Sequence, residues 1–245
     1  MVTKGYVDYG SWKKEEKRAH RAIAGESRVA SRLRLAAQMF LGRPYVPNGL
    51  VGGPDEGEKL VINLSGFDCI TYIESVLALA RSGSTKGFVC ELEEIRYRGG
   101  KVDWRARHHY FIDWMRQNEK RGVVKIRTKG WGSRPIDAKL SIISELPQRR
   151  VRFHVVPKGD ITHALDRISD GTIVAFASVR AKLDFFHTGI LFFDRPRERT
   201  VESLMLYQAR ESAGEVIAQP LSDFLKANRM RGIAFATPQE PGRLI

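Results

Sequence analysis

The chain has 245 residues, of which 42% are hydrophobic and 28% charged, so it can bury a core and is not disordered throughout. Lysine and arginine number 41 against 28 acidic residues, and the net charge of +13 indicates an anionic partner. This charge does not separate nucleic acid, anionic lipid and acidic cell-wall polymer. Two cysteines exclude a disulfide framework, and no stretch reaches the roughly 18 consecutive apolar residues of a membrane span.

The first 43 residues are basic, and their pattern predicts helices over residues 12–24 and 27–41. Lys13, Lys14 and Lys17 interrupt any apolar run long enough for a secretory signal. The chain as written is therefore expected in the cytoplasm, or in the cell envelope or periplasm if a leader has been removed. We predict that residues 1–43 form a helical extension packed on the core, with an arm for nucleic acid or membrane as the alternative.

The remaining elements follow in an order that places helices first and strands later. A long loop or an extended segment, rich in Pro, Gly and Asn, is predicted over residues 44–67, and a polar-to-mixed connection over 134–150. This order predicts an α+β fold with an antiparallel sheet. No linker or domain boundary is evident in the sequence, so we predict a single domain over 1–245, with a helical extension over 1–43 and a catalytic core over 44–245. The predicted helices are 68–81, 107–118 and 221–228, and the predicted strands are 151–156, 172–178, 187–193, 202–207 and 232–237.

Cys69 directly follows a candidate helix N-cap, Asp68, and opens a mainly apolar helix. The amide groups and the dipole at a helix start favour a thiolate, which makes such a cysteine nucleophilic. The same amides can donate to a developing oxyanion. The alternative is that Cys69 is a buried apolar residue, as many free cysteines are. Cys90 has no comparable setting and is predicted to be structural.

A cysteine nucleophile needs a base, and His187 is the strongest candidate because it begins a predicted strand. Gln208 lies near the end of the next strand, where a hairpin could let it accept the Nδ1–H of His187 and fix the tautomer. The adjacent His108 and His109 are a weak metal signal, and the sequence contains no CxxC, HExxH or HxH motif. We therefore predict neither a metal nor a cofactor.

Several motifs occur in the order expected for one enzyme family. The stretch GFDCITYIE follows PYVPNGLVGG and EKLVINL, and later come RHHYFIDW, GTIVAF, LDFFHTGIL, QPLSDFL and GIAFATP. Over roughly residues 35–240, the chain resembles the NlpC-type cell-wall cysteine peptidases and amidases. More narrowly, it resembles their N-acetylmuramoyl-L-alanine amidase-like branch, which is bacterial.

The resemblance implies a papain-like α+β domain in which a nucleophile helix packs on an antiparallel sheet that carries the base. It implies Cys69 as the nucleophile, His187 as the base and Gln208 in the orienting position, where the superfamily usually has His. Tyr45 matches a tyrosine beside the nucleophile and is expected to assist the oxyanion hole. The further expected oxyanion or cleft residues, which capping or packing could also explain, are Asp68, Arg107, His109, Tyr110 and Asp184.

The resulting functional hypothesis is a cysteine-dependent amidase that acts on peptidoglycan or muropeptides through a thioester. The favoured bond joins the N-acetylmuramoyl group to L-Ala, and a peptide bond within the stem is second. Two alternatives stay open: an acyltransferase or amide-forming enzyme with the same site, and a catalytically inactive basic binding module. Nucleic acid is the less favoured partner because no recognised binding motif is present. No feature predicts an oligomeric state.

Overall fold

The computed structural model describes residues 6–9, 12–195 and 197–242. The chain forms two compact units. The first comprises the described residues of Met1–His108 with Ala209–Ile217, and the second comprises those of His109–Gln208 with Ala218–Ile245. The predicted single domain with a boundary after residue 43 stays a prediction. Within the described residues, no helix combines the length and apolar character needed to cross a membrane.

The first unit is built mainly from four helices. A parallel two-stranded ribbon joins β1 to β2. The helix α3 is buried on nearly all sides, as its apolar sequence predicts. The bounds are β1 Tyr6–Tyr9, α1 Trp12–Ile23, α2 Val29–Met39, β2 Leu60–Asn63, α3 Cys69–Arg81 and α4 Thr85–Arg96.

Polar groups as well as apolar ones anchor α1 and α3 within this unit. The carboxylate of Glu16 on α1 is fully buried, lies 2.5 Å from Nδ1 of His20 and accepts a hydrogen bond from the Thr85 hydroxyl. On α3, Glu74 forms a buried ion pair with Arg96 at 2.6 Å. The indole of Trp12 on α1 and the ring of Phe88 on α4 also lie 6.0 Å apart. The basic extension is therefore packed through α1 against α4.

The second unit contains most of a sheet in the strand order β3-β10-β6-β7-β8-β9. The pairs β3–β10, β10–β6, β6–β7 and β7–β8 are antiparallel, which confirms the predicted combination of helices with an antiparallel sheet. The bounds are α5 Phe111–Lys120, β3 Val124–Ile126, β4 Arg134–Leu140, β5 Arg149–Val155, β6 Thr172–Ala177, β7 Phe185–Phe193, β8 Leu204–Arg210, β9 Glu215–Pro220, α6 Leu221–Ala227 and β10 Gly232–Pro238.

A register shift in β7 controls which side chains share a face of the sheet. His187 pairs with Phe176, whereas Phe185 pairs with Ala177, so Phe186 is the extra residue of a β-bulge. Paired residues point to the same face, and consecutive residues of β6 point to opposite faces. His187 and Phe185 therefore lie on opposite faces of the sheet, although residues two positions apart in a regular strand lie on the same face.

Two sequence predictions of elements were wrong. The segment 134–150 is not only a connection, because it contains β4, which pairs along its whole length with β5. Buried and exposed residues alternate along RPIDAKL, but its charged side chains made this strand pattern hard to recognise in the sequence. The helix expected from residue 107 begins at Phe111 instead, because Trp104–Ala106 forms a short 3-10 turn that ends at the extended residue Arg107.

Candidate active site

Cys69 is the first residue of α3, and its side chain is half-buried. Oδ1 of Asp68 accepts hydrogen bonds from the amides of Ile70 at 3.0 Å and Thr71 at 2.7 Å. The Thr71 hydroxyl accepts from the Asp68 amide in return, which completes a capping box. Asp68 is thus the N-cap that the sequence predicts. Because the cap engages the amides of Ile70 and Thr71, these two amides are not oxyanion donors.

Tyr45 lies in the same unit, where residues 44–46 run beside the segment that leads into α3. The Phe67 amide donates to the Pro44 carbonyl, and the Val46 amide donates to the Phe67 carbonyl. The pKa of Tyr45 is raised to about 12, first by burial and then by negative charge at Cys69, Asp68 and Glu211. The hydroxyl of Tyr45 therefore stays protonated at neutral pH and is available as a donor. Sequence reasoning missed the contribution of Glu211.

His187 and Gln208 meet on neighbouring strands of the second unit. Nε2 of His187 lies 2.5 Å from Oε1 of Gln208, and Gln208 is fully buried. An amide oxygen only accepts, so in this arrangement Nε2 carries the hydrogen and Nδ1 is the nitrogen left to act as a base. The sequence prediction had the other nitrogen, Nδ1, facing Gln208. Which nitrogen faces the amide depends on the ring rotation, which no sequence pattern encodes.

The surroundings of the imidazole are aromatic and closely packed. The ring of His187 lies 5.3 Å from that of Phe224 and 6.2 Å from that of Phe176. Gly189, two residues along β7, has a special role. A Cβ there would come within 2.6 Å of Leu206 Cδ1 and 2.7 Å of the Tyr207 carbonyl oxygen. Only glycine at this position therefore lets β7 and β8 approach closely enough for the hydrogen bond between His187 and Gln208. The HTG sequence signals this constraint, but sequence reasoning did not use it.

Asp184, expected to be a cleft residue, is buried and caps a helix instead. Its two carboxylate oxygens accept from the amides of Ile112 at 2.7 Å and of Phe185 at 2.8 Å. Ile112 is the second residue of α5, whose own N-cap residue Tyr110 offers no capping side chain. Burial raises the pKa of Asp184 to about 6, although the amide hydrogen bonds oppose the rise.

The remaining expected cleft residues also have internal partners. Nη1 of Arg107 lies 3.0 Å from Oε1 of Glu58, an atom that also accepts from the hydroxyl of Tyr97. The buried hydroxyl of Tyr110 accepts from the amides of two residues in the turn after β4, at 3.1 and 3.3 Å. His109 is half-buried. It adds slightly to the lowering of the pKa of Glu145, which hydrogen bonds from the amide of Glu145 and from Ser144 mainly cause.

The structure thus gathers five of the predicted residues into two groups, one in each unit. Tyr45, Asp68 and Cys69 cluster at the start of α3, and His187 hydrogen-bonds to Gln208 on the sheet. Across the described ranges, no group of three or more His, Cys, Asp or Glu side chains is arranged to hold a metal ion.

Comparisons with known proteins give structural relatives and a family for this chain. A crystal structure from Legionella pneumophila has a TM-score of 0.78 over 94% of this chain and 96% of that chain at 21% identity, a level that shows the fold alone. Two crystal structures of an N-acetylmuramoyl-L-alanine amidase from Bacteroides uniformis are 28% identical, over 86% of this chain and 99% of that chain, with TM-scores of 0.71 and 0.73. No curated protein matches. Residues 35–233 match the model of the AmiA-like family, described as N-acetylmuramoyl-L-alanine amidase-like, and the chain belongs to that family.

Proposed function

We propose that this protein is a cysteine-dependent amidase of the papain-like, NlpC-type superfamily that hydrolyses an amide bond of peptidoglycan or muropeptides. The favoured bond joins the N-acetylmuramoyl lactyl group to L-Ala. Membership of the amidase-like family supports the substrate class. The observation that carries the proposal is the hydrogen bond from His187 to Gln208, because it leaves Nδ1 as the base.

In the proposed first step, His187 holds the thiol proton of Cys69 on Nδ1, and the thiolate attacks the amide carbonyl carbon. The tetrahedral oxyanion accepts a hydrogen bond from the Tyr45 hydroxyl, which is protonated at neutral pH. The C–N bond then breaks, and the imidazolium transfers its proton to the leaving amine of L-Ala. This leaves a thioester between Cys69 and the lactyl carbonyl.

In the second step, Nδ1 of His187 takes a proton from water, and the resulting hydroxide attacks the thioester carbonyl. Collapse of this second tetrahedral species expels the Cys69 thiolate and releases the muramyl carboxylic acid, which loses its proton to solvent. The proton taken from water stays on Nδ1, so the enzyme returns to the thiolate–imidazolium pair from which it started. Gln208 holds the ring through both steps but, being neutral, gives the imidazolium no ionic stabilisation.

The test is a digest of purified muropeptides with products identified by mass spectrometry. We expect wild type to release peptides that begin with L-Ala, together with glycans that carry a free lactyl carboxylate. Cys69→Ala is expected to abolish both products, and Cys90→Ala serves as the matched control because Cys90 is exposed on α4. If Cys69→Ala cleaves as well as Cys90→Ala, the mechanism is wrong. If the products are peptides cut within the stem, the mechanism stands but the favoured bond is wrong.

A further inference from the structure

A concavity lies in the second unit, bounded by α5, β3, β5 and the adjoining face of the sheet. It has a volume of about 370 Å³. This volume falls at the lower end of the range found for small-molecule sites, which is about 300–1,000 Å³. We name this concavity the α5 cleft. No step of the proposed reaction uses it.

The α5 cleft is separate from the histidine site because the sheet lies between them. Phe185 lines the cleft, and the bulge in β7 places Phe185 on the face opposite His187. The imidazole of His187 packs on the other side, against Phe176 and Phe224. A ligand in the α5 cleft would therefore not touch the proposed base.

The floor of the cleft is apolar. Ile112 and Met115 from α5 meet Phe153 from β5 and Phe185 from β7. The two phenylalanine rings pack at 4.8 Å, so this part of the floor consists of side chains that already contact each other. A floor of this composition favours a hydrocarbon chain over a sugar or a peptide backbone, which would lose hydrogen bonds to water.

The rim of the cleft is positively charged. Arg116, Lys125, Lys129 and Arg152 lie around it, and Glu119 is the acidic residue among the lining side chains. An oxygen of Glu119 accepts from the Ile126 amide at 2.8 Å. Arg152 is paired with Asp137.

The two rim lysines are the cations best placed to meet a ligand. Lys125 and Lys129 are exposed, and neither forms an ion pair within residues 6–9, 12–195 and 197–242. Their ammonium groups can therefore receive an anion without breaking an internal interaction. One nitrogen of Arg116, Nη2, donates a hydrogen bond to the Arg152 carbonyl. The other N–H groups of its guanidinium can donate to a ligand.

We propose that the α5 cleft binds a single-chain anionic amphiphile, with its hydrocarbon tail on the apolar floor and its carboxylate or phosphate head at the rim lysines. The charge complementarity of the rim selects the head, and the apolar floor selects the tail. A half-enclosed cavity suits one chain better than the flat surface of a bilayer, so the committed occupant is the monomer. The proposal does not depend on the amidase activity.

Calorimetric titration with three probes tests this. Dodecanoate carries both the tail and the anionic head, butyrate carries the head without the tail, and dodecyltrimethylammonium carries the tail with the opposite charge. We expect measurable binding of dodecanoate alone. The double variant Lys125→Glu/Lys129→Glu should bind dodecanoate about tenfold more weakly or worse, because it reverses the rim charge at exposed positions.

The matched control is Lys14→Glu/Lys17→Glu, which makes the same change of charge at exposed positions of α1. It should bind dodecanoate like wild type. Equal binding of the cationic probe, or equal weakening by both double variants, would overturn the proposal. So would binding to vesicles of anionic phospholipid without binding to the monomer, or rim-dependent binding of DNA or muropeptides in place of dodecanoate.

Discussion

The buried carboxyl of Asp184 makes a sharp prediction about pH. Its pKa in the folded chain is about 6, against an ordinary value of 3.8, chiefly because burial penalises the charged form. A difference of about 2 pKa units corresponds to about 3 kcal/mol. Since the folded pKa is the higher one, the folded state holds the proton more tightly. This contribution to stability is fully present below pH 3.8, is lost as the pH rises and is gone above about pH 6.

Asp184→Asn removes this titration, so the difference in unfolding free energy between wild type and the variant isolates it. Between about pH 4.5 and about pH 7.5, wild type should lose roughly 2 kcal/mol relative to Asp184→Asn, which is the part of the 3 kcal/mol that falls in this window. Denaturant unfolding of both chains at each pH measures the difference. The absolute offset is not the readout, because an Asn amide accepts only through its oxygen and cannot replace both carboxylate hydrogen bonds.

Asp137→Asn is the control for this experiment. Asp137 is exposed, and its pKa is lowered by the hydrogen bond from Arg152. Its contribution is therefore present above the ordinary pKa and lost only at more acidic pH, so its difference from wild type should stay flat over the same window. A flat difference for Asp184→Asn as well, or one that favours wild type as the pH rises, would refute the assignment of Asp184 as a buried, proton-holding cap.

Three further predictions concern the proposed chemistry. Gln208→Ala should lower kcat by about 10- to 100-fold with little change in KM, because His187 loses its orientation but no substrate contact, as steady-state kinetics would show. Tyr45→Phe should lower kcat by a similar factor if the hydroxyl donates to the oxyanion, and an unchanged kcat would exclude that role. Asp68→Asn should speed alkylation of Cys69 by iodoacetamide, since Oδ1 keeps all its cap hydrogen bonds while the adjacent negative charge is lost; slower alkylation would contradict this.

The helix at Cys69 was predictable because its signals are local. Asp68 caps the amides two and three residues ahead, and the residues after Cys69 are mainly apolar. The role of Asp184 was not predictable, because its carboxylate reaches the amide of Ile112, which lies 72 positions away in the chain. The family resemblance suggested that Asp184 is a cleft residue, and only the tertiary fold shows that it caps α5.

The same distinction explains the sheet. The strands β6 and β7 are rich in Val, Ile and Phe and were predicted within two residues at each end. The strand β4 was missed because its outward positions carry charge, and so was the β7 bulge, since an extra residue in a strand leaves no mark on composition. That bulge decides which face His187 occupies. The helix α4 was not predicted either, although Ser84 caps it through the amide of Gly87.

The charges around Cys69 indicate which groups would stabilise a thiolate at that position. Asp68 and Glu211 lie close enough to Tyr45 for their negative charge to raise its pKa, and negative charge at Cys69 has the same effect. The dipole of a helix contributes only about 0.3–1 kcal/mol to an exposed anion at its N-terminus. Under the proposed mechanism, most of the stabilisation must therefore come from the imidazolium of His187. His187→Ala should slow alkylation of Cys69 at mildly acidic pH to the rate of the exposed Cys90, and fast labelling that survives this change would disprove the ion pair.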